Sequence, residues 1–362
     1  MGLELRVVPD GFAGVAPWWD AVVEASGRPS PFATLAWLST WWETYGRGGR
    51  LLVLSLVDGG QPAGGVAFYR QGRRLRGVFP VRELRLVGDR FVGSEGLDLM
   101  VRPGLEQEAA AAVARFLAAP AAAFDLIHFA GLRPGAVLLR DEALPGVARS
   151  SVAPTNRCPF LRLDGGRPAV PLSKSYASQV ARRVRRAAEA GLRFARCETE
   201  DQVQQALGAL FATHQERWED RGEAGSFADP RKRDFYRRVA PLLLREQRLA
   251  LYALWQGDQA RAALFGATSG RILYYLQSGF DPALASQSPG GVLMQQILRD
   301  AQARGFERFD FMKGDEAYKY RWTSEEEPLL LRRGIGSGWR GRLAFALARA
   351  VRRPSVAVSA PS

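Results

Sequence analysis

The stretch around residues 265–322 constrains the fold more than any other part of the chain. Two strand-like runs are followed by a glycine-rich loop, a predicted helix and a short third strand: Leu264–Thr268, Ile272–Gln277, Gln287–Gly291, Val292–Ala303 and Phe309–Phe311. A strand that leads into a Pro-Gly-Gly loop at the start of a helix leaves backbone N–H groups free, and the helix dipole favours an anion there. The sequence therefore predicts that this loop binds a phosphate group.

The length of 362 residues exceeds one ordinary domain and favours two cores of about 150 residues each. Two cysteines, Cys158 and Cys197, have no metal-ligand spacing, which excludes a disulfide framework or a zinc ribbon and fits a reducing compartment. Charged residues within the first ten positions interrupt the apolar run that a signal peptide needs. We expect a soluble, cytoplasmic protein, with peripheral attachment to the inner membrane as an alternative.

The formal net charge of +13 favours anionic partners such as nucleotides, nucleic acid or a lipid surface. Lysine accounts for only four of the 50 basic residues, at positions 174, 232, 313 and 319. Two of these four lie within Lys313–Lys319. The compact ammonium of lysine can titrate, whereas the guanidinium of arginine stays charged. This segment is therefore a candidate for a catalytic role.

The chain divides at Asp164–Pro168, a Gly- and Pro-containing linker. Both halves alternate strands with helices, which predicts a mixed sheet flanked by helices in each half. The expected boundaries are a first domain at 1–166, a second at 167–335 and a basic tail at 336–362.

The tail contains the basic amphipathic segment Trp339–Arg353. It can be a helix that presents arginines to an anionic membrane surface, or a terminal helix that packs on the body of the protein. The sequence leaves both interpretations open.

Several motifs together resemble one known family. They are Ser288-Pro289-Gly290, Phe309-Asp310-Phe311, Gly314-Asp315-Glu316, Tyr318-Lys319 with Trp322, His214 with Arg217-Trp218, the arginines 182, 183, 185 and 186 after Leu172-Ser173-Lys174, and Pro31-Phe32 with Trp37 and Trp41. They resemble the GNAT-type acetyltransferase domain of cellulose-biosynthesis (CelD-type) proteins. That family is similar in architecture to the Fem-type peptidyltransferases, which place two GNAT folds in tandem and use aminoacyl-tRNA as donor.

The resemblance implies an α/β (α+β) protein of two tandem GNAT-like acyltransferase folds that transfers an acyl group to an amine. From this resemblance we expect acetyl-CoA or another acyl-CoA as donor, with no metal required. The expected acceptor is a small-molecule amine, sugar- or lipid-linked, in exopolysaccharide or cell-envelope biosynthesis. The alternatives are an aminoacyl-tRNA donor, which would make tRNA a partner, and a non-catalytic binding module of polysaccharide export.

The donor loop of GNAT enzymes holds a pyrophosphate through backbone amides, and the matching residues here are Gln287, Ser288, Pro289, Gly290 and Gly291. Val292 stands where the family has a final small residue. A branched side chain at that position can block a close approach to the backbone, so the sequence keeps other donors open.

Four residues are candidates for catalysis or substrate positioning: Asp310, Glu316, Tyr318 and Lys319. Asp310 can be a desolvated base or can end its strand by binding backbone N–H groups of the next turn. The other three are expected on one short helix after Gly314, capped by Asp315, where Tyr318 can protonate a thiolate and Lys319 can bind a phosphate or carboxylate. The alternative is a solvated helical turn.

The predicted substrate-binding residues are His214, Arg217, Trp218 and Lys313. The first three share one helix face at the i, i+3, i+4 spacing, although a single histidine on an amphipathic helix is often structural. The four arginines at 182, 183, 185 and 186 can attract a nucleotide-linked substrate or can form a solvated face.

Overall fold

The computed structural model describes residues 2–75, 77–119, 122–140, 147–163, 174–219 and 225–349. The strands are β1 (Glu4–Val8), β2 (Gly49–Asp58), β3 (Gln61–Leu75), β4 (Phe79–Leu86), β5 (Met100–Val101), β6 (Leu126–Leu132), β7 (Val147–Arg162), β8 (Leu192–Arg196), β9 (Leu249–Gln256), β10 (Gln259–Ser269), β11 (Ile272–Phe280), β12 (Arg308–Asp310) and β13 (Glu326–Gly336). The helices are α1 (Trp19–Ala25), α2 (Leu35–Tyr45), α3 (Glu106–Ala118), α4 (Lys174–Glu189), α5 (Glu200–Glu219), α6 (Pro230–Arg245), α7 (Pro289–Ala303) and α8 (Trp339–Arg349).

One mixed sheet runs through both halves of the chain in the order β1-β2-β3-β4-β6-β13-β7-β12-β11-β10-β9-β8, and β5 pairs with β3 off this path. Among the described strands, the pairs β4–β6 and β11–β12 are parallel and the other neighbours are antiparallel. Helices pack on this sheet, so the expected mixed α/β fold class is confirmed.

The two halves repeat one arrangement. In the first half β2, β3 and β4 are antiparallel neighbours, and after α3 the chain returns as β6, parallel to β4. In the second half β9, β10 and β11 are antiparallel neighbours, and after α7 the chain returns as β12, parallel to β11. This repetition of strand, helix and parallel strand agrees with the expected two GNAT-like folds in one chain.

The last strand of each half is exchanged between the halves. β13, from the C-terminal end, lies between β6 and β7, whereas β7 ends beside β12 through Phe160–Arg162. The predicted linker at 164–168 lies outside the described residues. Each half of the sheet is therefore completed by a strand that comes from the other half.

Aromatic side chains of α2 fill the contact between the two halves. Trp37 is fully buried, and its ring meets Phe235 of α6 edge-on at 4.9 Å. Trp41 is 1% exposed, and its indole N–H donates to the Arg90 carbonyl at 2.8 Å. Such aromatic pairs contribute about 0.5–1.5 kcal/mol beyond the area they bury. Both tryptophans are therefore packing residues of the protein interior.

Parts of the first half differ from the sequence prediction. β7 begins at Val147, whereas the pattern predicts a strand only at Phe160–Leu163, and the predicted strand Leu97–Val101 shortens to β5. Most side chains in the first two-thirds of β7 are exposed, so that part lacks the alternation of apolar and polar residues that marks a half-buried strand.

The described part of the tail is α8, which packs on the sheet. Its Ala344 is 1% exposed, and the Arg340 guanidinium donates to the Pro80 carbonyl at 2.8 Å. Residues 350–362 lie outside the described residues. None of the helices in the described ranges combines the length and the apolar character that crossing a bilayer requires.

Candidate active site

The strands β11 and β12 diverge after a short parallel pairing. They pair at Ile272–Tyr274 with Arg308–Asp310, and then β11 continues to Phe280 while the chain after β12 turns toward β7. There the N–H of Phe311 donates to the Pro159 carbonyl at 2.9 Å. The edge of β11 from residue 275 to 280 therefore has no strand beside it on that side among the described residues. The gap that the two diverging strands leave is the cleft.

The N-terminus of α7 lies at the end of this cleft. α7 begins at Pro289, not at the predicted Val292, because proline favours the first helical position, where its missing N–H costs nothing. Pro289, Gly290 and Gly291 are thus the first turn of the helix. Ser288 precedes it in the left-handed conformation, with φ 53°, and its carbonyl accepts the N–H groups of Gly291 and Val292.

This first turn is open on the side that a ligand would approach. The N–H of Gly290 has no partner among the described residues, and a Cβ added at Gly291 would meet no atom within 4 Å. The side chain of Val292 is 2% exposed and packs in the core below the helix. A branched residue at this position therefore does not cover the exposed amides.

Gln287 ends the 3-10 turn Pro282–Gln287 that precedes the helix. Its Oε1 is buried and accepts no hydrogen bond in the described part of the chain. An unsatisfied buried acceptor costs about 1–3 kcal/mol, so a donor group at this position would be stabilising.

Asp310 lies at the end of β12 and is 1% exposed. It accepts hydrogen bonds from Arg133 at 3.1 Å, from Arg308 at 2.8 Å and from the N–H of Met312 at 2.8 Å. The last bond is the strand-ending contact that the sequence offered as an alternative. The structure thus gives Asp310 three partners inside the protein, and its role as a base stays a prediction.

Arg133 links the first half of the chain to this region. Its guanidinium also pairs with Glu95 at 2.7 Å and with Glu327 at 2.5 Å. Burial raises the pKa of Glu95, and Arg133 opposes that effect, whereas the surrounding carboxylates hold the pKa of Arg133 well above its ordinary value. The Glu95 carboxylate in turn accepts the N–H of Lys313 at 2.7 Å. The first half therefore fixes the segment that follows β12.

That segment does not form the predicted helix after Gly314. Residues 313–316 are irregular, Asp315 caps no helix, and a 3-10 turn begins only at Lys319. Long-range bonds explain the difference, because the N–H of Gly314 donates to the Arg157 carbonyl at 2.9 Å and Gly314 has φ 122°. Backbone groups held this way cannot form helical bonds.

The buried side chain of Lys319 stabilises the backbone of this segment. It is 3% exposed, and its ammonium donates to the carbonyls of Lys313 at 2.7 Å and Met312 at 3.3 Å and pairs with Glu316 at 2.9 Å. The Glu316 side chain is 56% exposed. Lys319 thus holds the loop that carries Glu316 and Lys313, and its expected contact with a phosphate or carboxylate of the substrate stays a prediction.

The hydroxyl of Tyr318 is connected to two hydroxyl groups on β11. Its hydroxyl donates to the Tyr275 hydroxyl at 3.1 Å, and Tyr275 lies 2.6 Å from the Ser278 hydroxyl. β11 rises about 3.3 Å per residue. Asp310, opposite Tyr274, is therefore about 20 Å along the strand from Phe280, which a Cβ added at Gly290 would contact at 3.7 Å. The hydroxyl chain lies between these two points.

The predicted substrate-binding residues come from two elements. His214 lies on α5, is 7% exposed and packs edge-on against Phe227 at 5.0 Å. A Cβ added at Gly279 of β11 would lie 3.2 Å from the backbone nitrogen of His214, which places this histidine beside the strand. Arg217 and Trp218 lie on the same helix, but their side chains are outside what the structure describes. Lys313 is exposed beyond β12.

The sequence prediction missed Glu95, Arg133, Tyr275 and Ser278. The pair Tyr274-Tyr275 with Ser278 and Gly279 carried the available signal, because hydroxyl side chains and glycine near the end of a strand often mark a site where a ligand approaches. Glu95 and Arg133 carried no such signal in the sequence, because they lie in the other half of the chain, far from the motifs of this site.

One family model matches the part of the chain that contains this site. Residues 174–320 match the family model described as an acetyltransferase (GNAT) domain. This range includes α4, the diverging strands, α7 and the segment up to Tyr320, and it confirms the expectation of an acyltransferase. None of the curated proteins matches the sequence significantly. The expected cellulose-biosynthesis family stays a prediction.

Solved structures share the fold over nearly the whole chain. FemX superposes with a TM-score of 0.63 at 10% identity, over 97% of this chain and 100% of that one. The C-terminal domain (DUF2156) of a putative lysylphosphatidylglycerol synthetase from Agrobacterium fabrum gives 0.56 at 15% identity, over 94% and 97%. L-PGS from Bacillus licheniformis gives 0.50 at 12% identity, over 79% and 87%. Identities this low show a common fold.

Proposed function

We propose that this chain is an N-acyltransferase that moves an acyl group, acetyl first of all, from acyl-CoA to an amine on a sugar- or lipid-linked metabolite of exopolysaccharide or cell-envelope synthesis. One observation carries the proposal. The N-terminus of α7, where the N–H of Gly290 has no partner in the described ranges and Gly291 borders open space, lies at the end of the cleft where β11 leaves β12.

The residues of this turn suit a diphosphate carrier. A helix of fifteen residues has a positive N-terminal end, and its first N–H groups are the donors that a phosphate accepts. Gly291 lacks the side chain that would keep a phosphate away from these amides. The bound carrier supplies a thioester, and the unpaired edge of β11 supplies backbone groups along which its arm can extend.

The transfer itself needs a neutral amine and a proton for the leaving thiolate. The amine nitrogen forms a bond to the thioester carbonyl carbon, the carbon–sulfur bond breaks, and the sulfur takes a proton. Tyr318 is the proposed proton donor, because its hydroxyl lies beside the diverging edge of β11 and is connected to Tyr275 and Ser278. The proton released by the amine leaves to solvent, and Tyr318 regains a proton from solvent before the next turnover.

In this proposal Asp310 and Lys319, also predicted to be catalytic, are positioning residues. Asp310 is enclosed by two arginines and an N–H, and Lys319 is enclosed by carbonyls and Glu316. Both hold the segment that carries Tyr318. Their substitution would then change the geometry of the cleft before it changed any proton transfer.

The test compares Gly291→Leu with Gly208→Leu. Both glycines are helical and would place a side chain in open space, but Gly208 lies on α5, away from the turn. Acetyl-CoA at a hundred times its dissociation constant stabilises a protein by about 2.7 kcal/mol. We expect this stabilisation in the wild type and in Gly208→Leu, and its loss in Gly291→Leu, measured by urea unfolding.

Transfer of labelled acetyl to a panel of amino sugars and amine-bearing lipids, with and without ribonuclease, completes the test. Turnover that persists after ribonuclease supports the acyl-CoA donor. If no acyl-CoA stabilises the protein and transfer depends on intact tRNA, the donor is aminoacyl-tRNA and the proposal is wrong.

A further inference from the structure

Two of the four lysines lie close to the cleft. Lys232 is the third residue of α6 and is 8% exposed, and its ammonium donates to the Ser226 hydroxyl and lies 5.3 Å from the centre of the Phe227 ring. Lys313 follows β12 and its side chain is exposed. Two neighbouring lysines are unusual in this chain, and its 46 arginines cannot titrate near neutral pH.

The backbone brings these two lysines to one place. Tyr236, one helical turn after Lys232, donates from its hydroxyl to the Val92 carbonyl at 2.9 Å. Three residues further along that segment, the Glu95 carboxylate accepts the N–H of Lys313 at 2.7 Å. Consistent with this proximity, burial and the charge of Lys313 together lower the pKa of Lys232 to about 8.

Neither ammonium has a carboxylate partner among the described residues, whereas Lys319 pairs with Glu316 at 2.9 Å. Asp229, three residues before Lys232, raises the pKa of Lys232 but is itself bound to Arg231 at 3.1 Å. Glu95 is likewise committed to Arg133. A buried ammonium beside a second positive charge is destabilised, and a bound anion would relieve that cost.

The lysine pair lies beside the cleft. The Phe227 ring under Lys232 is in contact with His214, and the backbone of His214 adjoins Gly279 on the diverging edge of β11. The α7 turn proposed for the donor phosphates lies beyond Phe280 on the same strand. The two lysines are therefore placed to bind a group on the acceptor.

We infer that Lys232 and Lys313 form a binding site for the phosphate group of a phosphorylated amine acceptor. Two ammonium groups match the charge of a phosphate dianion, and Lys binds phosphate as a point charge. The identification of this ligand as the acceptor rests on the proposed function. The binding site itself does not, and it can be tested without any acyl donor.

The probe is inorganic phosphate, titrated by calorimetry at pH 8.5 into the full-length protein. We expect Lys232→Met and Lys313→Met each to weaken binding at least tenfold. Arg245→Met is the control, because it removes one positive charge from the same helix about 20 Å away. Lys313 is exposed, so Lys313→Met tests the site even if Lys232→Met fails to fold.

Protonation gives a second readout. At pH 8.5 a group with a pKa of about 8 is mostly neutral, so phosphate binding that favours the charged form takes up protons. The charged and titratable groups facing Lys232 are Lys313, Asp229, His214 across Phe227, and Arg233, which donates to the Phe227 carbonyl. Titration in two buffers of different ionisation enthalpy should show uptake in the wild type and its loss in Lys232→Arg, which keeps the charge.

The outcomes separate this inference from the proposed function. Lysine-dependent phosphate binding without transfer from any acyl-CoA supports the site and refutes the proposed function. Transfer with unchanged phosphate binding in both lysine variants refutes the site alone. Phosphate binding that survives both lysine variants but disappears in Gly291→Leu belongs to the donor turn, and it overturns the inference. Phosphoethanolamine in solution, compared with phosphatidylethanolamine vesicles, then shows whether the phosphate is free or carried by a lipid, and binding of either supports the site.

Discussion

Replacing Arg133 with methionine should destabilise the protein strongly, and more at high pH than at low pH. In the wild type Arg133 neutralises Glu95 and Asp310, whose side chains are 1% and 2% exposed, and also Glu327, which is 27% exposed. Asp310 would keep Arg308 and the N–H of Met312. Glu95 would keep only neutral donors, the N–H of Lys313 and the Cys158 thiol.

The variant therefore leaves one buried carboxylate without a cation, which costs about 3–5 kcal/mol. Burial already raises the pKa of Glu95 above its ordinary value of 4.5, and loss of Arg133 removes the strongest opposing effect. Between pH 4.5 and the raised pKa, the folded state holds a proton that the unfolded state releases. Stability of the variant therefore falls as pH rises through this window and levels off above it.

The assay is urea unfolding at pH 5 and pH 8, followed by the fluorescence of the nine tryptophans. Arg157→Met is the control, since Arg157 pairs with Glu326 at 2.8 Å but is 70% exposed, and an exposed pair contributes about 0–1 kcal/mol. The double variant Arg133→Met with Glu95→Gln should be more stable at pH 8 than the sum of the two single changes predicts. A loss below about 1 kcal/mol at both pH values would refute the reasoning.

Two further substitutions test the segment after β12. Lys319→Met removes the buried donor to the carbonyls of Met312 and Lys313 and should lower stability by about 1–3 kcal/mol together with acyl transfer, measured by urea unfolding and by labelled-acetyl transfer; full activity in a stable variant would contradict the bracing role. Tyr318→Phe should lower kcat by about a hundredfold or more with little change in KM for the acceptor. A change in kcat smaller than threefold would exclude Tyr318 as the proton donor.

Much of the fold could be predicted because its elements carry local signals. The strands predicted at Leu264–Thr268 and Ile272–Gln277 lie within β10 and β11, and the helix predicted at Val292–Ala303 lies within α7. The first part of β7 could not be predicted, because this exposed part is held by pairing with β13 and not by burial of its side chains. Pairing between distant strands leaves no period in either sequence.

The candidate site divides in the same way. The α7 turn is visible in the sequence because proline and glycine signal a helix start, and Tyr318 and Lys319 come from a compact motif. Glu95 and Arg133 are invisible, since Arg133 and Asp310 are 177 residues apart and meet only through the folded sheet. The predicted helix after Gly314 failed for a related reason, because its backbone groups are bound by Glu95 and Arg157 from elsewhere in the chain.

The position of β13 also bears on how the protein can be made. Residues 326–336 form the neighbour of β6, so the N-terminal sheet keeps an open edge until residue 336 has left the ribosome. A fragment limited to residues 174–320 would contain neither β7 nor β13. Its β12 would then be an unpaired edge strand, which promotes aggregation. Expression trials that cut the gene at the linker should therefore yield insoluble halves, while co-expression of both pieces should recover a nicked but assembled molecule.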